Sequence, residues 1–205
     1  MGSFGNWREG RSQTWCSLSE SQQTPRQKRD YTDRLQAIHH ARRVAKSAEQ
    51  NAVACKAAAV WAEATPINHA ASHGYLLAKG IQPHDTRLIE TETLQGLVSN
   101  SSPSLFGPLL VIPIRNAVGE LRSLQFITED GTKRPLTGGE KQSCFYLMGG
   151  SDSANCAVVL IVCEGFATGA SISEATEQTV AVAFDRGNLE PVCRSLRQTL
   201  NRPGN

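Results

Sequence analysis

The stretch LIVCEGFATGASISEATEQTVAVAFDRGNL, Leu160 to Leu189, places one carboxylate, Glu164, directly after an aliphatic run and directly before Gly165. Taking a carboxylate out of water is costly unless it is paired, so a Glu at the end of a buried strand has a task. Three tasks suit it. It can bind Mg²⁺, which takes carboxylate oxygens beside substrate phosphates. It can serve as a general acid or base. It can also cap the adjoining turn by accepting backbone N–H bonds. Gly165 lets a backbone or a phosphate come close, and Thr168 is placed to cap the helix that follows. A helix N-terminus beside a metal-binding carboxylate suits a phosphate. Asp185 follows the next aliphatic run, TVAVAF, and is the second metal candidate.

Cations gather elsewhere. Arg122, Lys133, Arg134 and Lys141 flank the glycines of DGTKRPLTGGEKQS. Gly138-Gly139 ahead of Lys141 has the flavour of a phosphate loop but lacks the G-x-x-x-x-G-K-[ST] spacing. A nucleotide loop, a solvated hairpin and a contact to a template or primer backbone all fit this stretch. Lys and Arg in the last role position phosphates without reading sequence. Near the N-terminus, Trp7 and Trp15 are interleaved with Arg8 and Arg11. Such aromatics stack on single-stranded bases or pack locally.

The elements that must position these residues follow from periodicity. Residues 157–200 read strand, helix, strand, helix. AVVLIVCEG is a continuous apolar run of the kind buried on both faces of a parallel sheet, and a second parallel strand requires a crossover. The intervening helix carries small residues where it meets the sheet. Asn188 is expected to cap the last helix, whose Leu189, Val192, Cys193, Leu196 and Leu200 follow a helical period, with Pro191 in its first turn. Ligands of such sheets collect beyond the C-terminal strand ends, where Glu164 and Asp185 lie. Residues 109–149 alternate with period two and read as an antiparallel meander. LLVIPIRN and ELRSLQFITEDG join around Asn116–Gly119, and CFYLMG forms a further strand. Leu121, Ser123, Gln125 and Ile127 should share one face of the second strand, and Arg122, Leu124 and Phe126 the other. Residues 65–108 read as irregular, with a short helix Tyr75–Lys79 ended by Gly80, His73 capping or packing beside it, and a loop at Ser99–Ser104. Pro25 to about Ala64 is one long helix with a thin apolar stripe (Leu35, Ile38, Val44, Val60, Trp61), either a solvated connector or a helix that tracks nucleic acid. Residues 1–24 form a short hairpin or irregular segment, with a linker at Ser17–Pro25.

The totals bound the class. The chain has 205 residues, 40% hydrophobic but only 6% aromatic, so its core is aliphatic. Residues 1–60 hold 10 Lys and Arg against 5 Asp and Glu, whereas residues 61–205 hold 11 against 14. A basic arm on a mildly acidic body suits an anionic polymer. The six cysteines form no C-x-x-C pair, which speaks against a zinc ribbon and fits a reducing, cytoplasmic setting. No apolar run approaches the length of a membrane span, so no membrane partner is expected.

The residues around Glu164 carry a resemblance. VVLIVCEGFATGASISEATEQTVAVAFDRGNL resembles the opening half of a Toprim domain, more narrowly that of DNA primases encoded by phages and conjugative plasmids. Three further stretches resemble that family in the same order: FGNWREGRSQTW, HGYLLAKGI and LLVIPIRNAVGELRSLQFITEDGTKRPLTGGEKQSCFYLMGG. The likeness covers nearly the whole chain. It implies an α+β fold: an N-terminal helical arm, an antiparallel β-meander, then the first β-α-β-α half of a parallel α/β Toprim domain. The divisions would be 1–24, 25–64, 65–150 and 151–205. Toprim domains hold Mg²⁺ through a Glu at the first strand end and an Asp-x-Asp at a later one. Glu164 matches the Glu, which would make it the catalytic and metal-linked carboxylate, with Gly165 and Thr168 beside the bound group. Asp185 does not match the acidic pair, and the chain stops before any strand that would carry one. The zinc-binding module that often precedes this family's motifs is absent as well, so an incomplete fragment is expected. The implied function is primer synthesis in DNA replication, with single-stranded DNA and nucleotides as partners and a helicase or the remaining part of the primase beside it. Arg122, Lys133, Arg134, Lys141, Trp7 and Arg8 would then contact nucleic acid. The alternative is a non-catalytic remnant of a mobile element that binds nucleic acid or a replication partner.

Overall fold

The computed structural model describes residues 2–6, 11–15, 24–97, 105–149 and 159–200. Contacts divide the chain into two units, Met1–Ser47 and Ala48–Asn205. In the first, β1 (Gly2–Asn6) and β2 (Arg11–Trp15) pair antiparallel, with Asn6 opposite Arg11. The hairpin reading of this segment therefore holds. Trp7 and Arg8 lie outside the described residues, as do most of the expected linker and the Ser99–Ser104 loop. The long helix α1 (Pro25–Glu63) starts on a capping box. Thr24 Oγ1 accepts from Gln27 N at 3.3 Å, and Gln27 Oε1 accepts from Thr24 N at 2.9 Å. Pro25, at the first helical position, has no N–H to satisfy. Up to Ser47 the helix is exposed along nearly all its length, and Ile38 and Val44 of the expected stripe are about half exposed (47% and 55%). Helix propensity rather than burial holds this part.

In the second unit the burial begins. Val53, Ala57 and Val60 of α1 are buried at helical spacing. They pack on one face of a five-stranded antiparallel sheet, β3 (Thr65–Pro66), β4 (Arg87–Glu90), β5 (Pro108–Arg115), β6 (Leu121–Ile127) and β7 (Lys133–Pro135), in that spatial order. β5 is the central strand. Its Leu109 and Val111 face α1, and its Leu110 and Ile112 face the opposite core, which includes Tyr75 and Leu76 of α2 (Gly74–Lys79). α2 ends on Gly80 at φ 64°, a left-handed cap that glycine adopts without strain. His73 packs rather than caps: it is buried, its Nε2 lies 3.3 Å from Pro108 O, and burial pushes its imidazole below the ordinary range. The segment read as irregular also holds β4 and the helix α3 (Thr91–Leu97). Four residues, RLIE, are too few to display a period. In β6 the expected faces hold for Leu124, Phe126 and Ile127 but not for Leu121, which packs with the α1 side. The cause is a bulge: Ile114 pairs with Ser123 but Arg115 with Leu121, so the alternation slips at the strand start.

The second sheet has the order β8-β10-β9, formed by β8 (Tyr146–Met148), β9 (Leu160–Cys163) and β10 (Thr179–Val182). β9 and β10 are parallel, joined by α4 (Phe166–Thr176), as the apolar runs required. Two expectations change. CFYLMG does not extend the meander. Tyr146–Met148 pairs antiparallel with β10, so this sheet crosses the boundary expected at 150/151. β9 is not buried on both faces either. It is the edge strand and half-buried throughout, whereas Val180, Ala181 and Val182 of the central β10 are fully buried. α4 approaches the sheet closely, as its small residues suggest: a Cβ on Gly169 would stand 2.8 Å from Val182 Cγ2 and 3.1 Å from Cys163 Sγ. A 3₁₀ turn (Arg186–Asn188) then leads into α5 (Leu189–Leu200), which buries Val192 and Leu196 against β10 but leaves Cys193 exposed. Among the described residues no helix is long and apolar enough to cross a membrane.

Candidate active site at the parallel strand ends

The backbone ladder between β9 and β10 continues past both strands. Ala183 N donates to Cys163 O at 2.8 Å and Phe184 N to Glu164 O at 2.9 Å. Glu164 and Asp185 therefore leave the sheet at the same end, from adjacent strands. Their environments differ. Glu164 is exposed, and its carboxylate makes no hydrogen bond or ion pair among the described residues, so the turn-capping role is not what the side chain does. Gly165 is the N-cap of α4 in an extended conformation (φ −112°), and Gly169 N donates to its carbonyl at 2.9 Å. Thr168 is exposed and makes no capping bond, contrary to expectation. Space is open above this turn: a Cβ on Gly165 would meet only Thr168 Oγ1, at 3.8 Å.

Asp185 is occupied on both oxygens. Oδ1 accepts from Asn188 N at 3.0 Å, and Oδ2 lies 3.6 Å from Lys141 Nζ. The expected capping role of Asn188 thus belongs to Asp185, which caps the 3₁₀ turn. Asn188 is instead buried, a cross-link that composition alone does not reveal. Its Nδ2 lies within 2.8–2.9 Å of the carbonyls of Lys141, Cys144 and Ala183, and its Oδ1 accepts from Ser143 N at 2.8 Å. It ties the 141–144 loop to the end of β10. Cys144 in that loop is buried, which pushes its thiol up to about 12 and keeps it protonated.

The cations of the meander do not gather on one face. Arg122 is engaged: Nε donates to Glu140 Oε2 at 2.7 Å and Nη2 to Asn51 Oδ1 at 3.0 Å. The sequence offered Glu140 as a partner, 18 residues away, but periodicity does not pair them. Lys133 Nζ stands 5.8 Å from the centre of the Tyr75 ring, and Arg134, next along the edge strand β7, points to the opposite side. Gly138 and Gly139 have packing reasons. Gly138 is at φ 78°, close to Val53 and Glu49, and Gly139 lies against Ser123. A denser set of free cations sits on α1, where residues 25–47 hold seven Lys and Arg against two Asp. All seven are exposed.

Among the described residues no three His, Cys, Asp or Glu side chains converge as metal ligands. Of the two strand-end carboxylates only Glu164 is free to take a cation among the described residues, so this pair does not by itself fit a two-ion centre.

No protein-family model matches the chain, and no solved structure matches it. Curated relatives do, among them two from Escherichia coli. The chain is 34% identical over 155 residues, 76% of its length, to a DNA primase TraC of Escherichia coli. It is 36% identical over 122 residues, 60% of its length, to a second DNA primase TraC of Escherichia coli. In each case it spans about a tenth (10%) of the relative's length. The chain is thus a relative of DNA primase TraC, matched to a short part of it.

Proposed function

We propose that this chain is part of a DNA primase-like protein of a plasmid or phage, holding the opening half of a Toprim domain and handling single-stranded DNA and nucleotides in primer synthesis. The observation that carries the reading is the 34% identity to DNA primase TraC over 155 residues. The free carboxylate of Glu164 at a parallel strand end, beside the N-terminus of α4, supports the Toprim assignment. In this reading Glu164 is the general acid or base, or one ligand of a Mg²⁺ ion whose other ligands come from elsewhere. A helicase or the rest of a primase is the protein partner it calls for. The occupation of Asp185 by Lys141 and Asn188 favours a second reading, in which the chain binds nucleic acid without catalysis.

Both readings require DNA binding, and the exposed cations of α1 supply a phosphate-contacting surface with no base-reading motif. Single-stranded oligonucleotides of different sequence should bind with similar affinity, and the affinity should fall steeply with salt. The slope of log K against log salt, read by fluorescence anisotropy, should drop by about 2 in the triple variant Arg42→Gln, Arg43→Gln, Lys46→Gln, at roughly 0.7 per lost contact. An unchanged slope would move the DNA surface to Lys133 and Arg134. Absence of single-strand binding at any salt would overturn the proposal.

A further inference from the structure

A cavity of about 470 Å³ opens in the second unit, and neither Glu164 nor Asp185 lines it. It lies in the notch between β5 and β8. β4 pairs with β5 only as far as Arg87 opposite Val111. Further along, the two sheets are stitched by Arg115 N to Phe145 O at 2.9 Å and Phe145 N to Arg115 O at 2.8 Å. Between these points the edge of β5 is uncovered, and the residue there is Pro113. Its ring nitrogen points to the same side as Arg115 N, so the gap leaves no N–H unpaired. The sequence thus tolerates a permanent opening at this place.

The walls are aromatic and apolar: Trp61, Phe145, Tyr146, Pro113 and Leu196. The indole of Trp61 is held in place. The Arg87 guanidinium lies 4.3 Å from its ring centre, and Arg87 Nη1 donates to Trp61 O at 2.6 Å. Two charged groups enter from the rim. Asp85 makes no side-chain hydrogen bond or ion pair among the described residues, and after burial its charge is the next cause raising the Tyr146 phenol. Arg115 donates one N–H to Gly119 O at 2.9 Å and keeps the others. One carboxylate and one guanidinium leave the cavity near neutral, which disfavours a bare phosphate. An aliphatic ligand would leave both charges unmatched. A planar ring with polar edges satisfies all of it: it stacks on the indole or phenol, gives an N–H to Asp85 and accepts from Arg115.

We propose that this pocket takes a nucleobase, from a single strand or from a free nucleotide. The proposal rests on the reading of the chain as a nucleic-acid-handling part of a primase-like protein. The test uses the full chain and photochemical cross-linking. One arm is a single-stranded oligonucleotide carrying one 5-iodouracil, and the other is the 5-iodouracil nucleoside triphosphate alone. Cross-linked residues are mapped by mass spectrometry, and oligonucleotide binding is followed by anisotropy in the same samples. Labelling should fall on Trp61 or Tyr146. It should drop roughly tenfold in Thr199→Trp, which fills the cavity and displaces the stacked base, and by less in Asp85→Asn, whose amide oxygen still accepts but carries no charge. Asn tolerates the left-handed backbone of position 85 (φ 58°), and Thr199 lies on the partly exposed side of α5 at the cavity mouth, so both variants should fold. Labelling by only one arm supports the proposal and identifies the source. DNA binding with labelling confined to other residues, or labelling unchanged in both variants, would overturn the pocket and leave the proposed function standing. No binding and no labelling in either arm would overturn both.

Discussion

At the scale of single residues, the candidate site depends on an amide. Asn188 satisfies one N–H and shares its own two amide hydrogens among three carbonyls from two segments, in a place with 4% exposure. It also steadies Ser143, whose φ of 61° is uncommon for a residue other than glycine. Asn188→Ala leaves these groups buried and unpaired and should lower stability by about 3 kcal/mol, read as a shift in the urea midpoint at constant slope. The isosteric Asn188→Asp tests the sense of the bonds: it sets carboxylate oxygens against three carbonyls and should be at least as destabilising. A mild effect of Asn188→Asp would mean that shape, not donation, matters there. Asp185 and Asn188 are both visible in the sequence as polar residues after a buried strand, yet the capping expected of Asn188 belongs to Asp185, and Asn188 is a buried cross-link. A cap can be recognised from residue type, but partners in the 141–144 loop, more than 40 residues away, leave no local trace.

The elements were legible where they are long. The period of two across β5 and β6 and the composition of α1 each repeat often enough to exclude alternatives, whereas β9 and β10, four residues each, are marked by unbroken apolar runs that give the strands but not their burial. β8 was placed in the wrong sheet because three alternating residues fit any edge, and its partner β10 follows only after a helix. The Thr-Pro-Arg-Gln start of α1 is a capping box that could have been read directly. The glycine pair 138–139 suggested ligand chemistry, but the structure gives it packing reasons. A Cβ on Gly139 would stand 2.0 Å from Ser123 Oγ, 2.7 Å from Ser123 Cβ and 3.1 Å from Leu136 O. Ser123 is fully buried with its hydroxyl unpartnered, which marks it as chosen for size. Gly139→Ala should therefore lose about 2 kcal/mol of stability, as overpacked sites do. Ser123→Gly in the same chain should restore much of the loss by removing both clashing atoms. A double variant no more stable than Gly139→Ala would show that the 138–144 loop is held by something other than this contact.

At the scale of the whole molecule, the question is whether this chain can make primers by itself. A nucleotidyl group in transfer concentrates negative charge, and two divalent ions normally stabilise its attacking and leaving oxygens. Holding two ions takes carboxylates from at least two strand ends. The sheet presents two such ends side by side, but only Glu164 is free. Asp185 would have to release both Lys141 and the Asn188 backbone to bind an ion, undoing the turn that leads into α5. One exposed carboxylate binds Mg²⁺ weakly, and no third ligand converges on it among the described residues. The matched residues make up 10% of each relative, so most of each relative lies outside the match. We therefore expect no template-dependent synthesis when the purified chain is incubated with single-stranded DNA, Mg²⁺ and labelled nucleotides, even where DNA binding is strong. Oligonucleotide products that disappear in Glu164→Gln would refute this, because they would require Asp185, or a second copy of the chain, to complete the ion site. Products that persist in Glu164→Gln would point to a contaminating polymerase and leave the expectation intact.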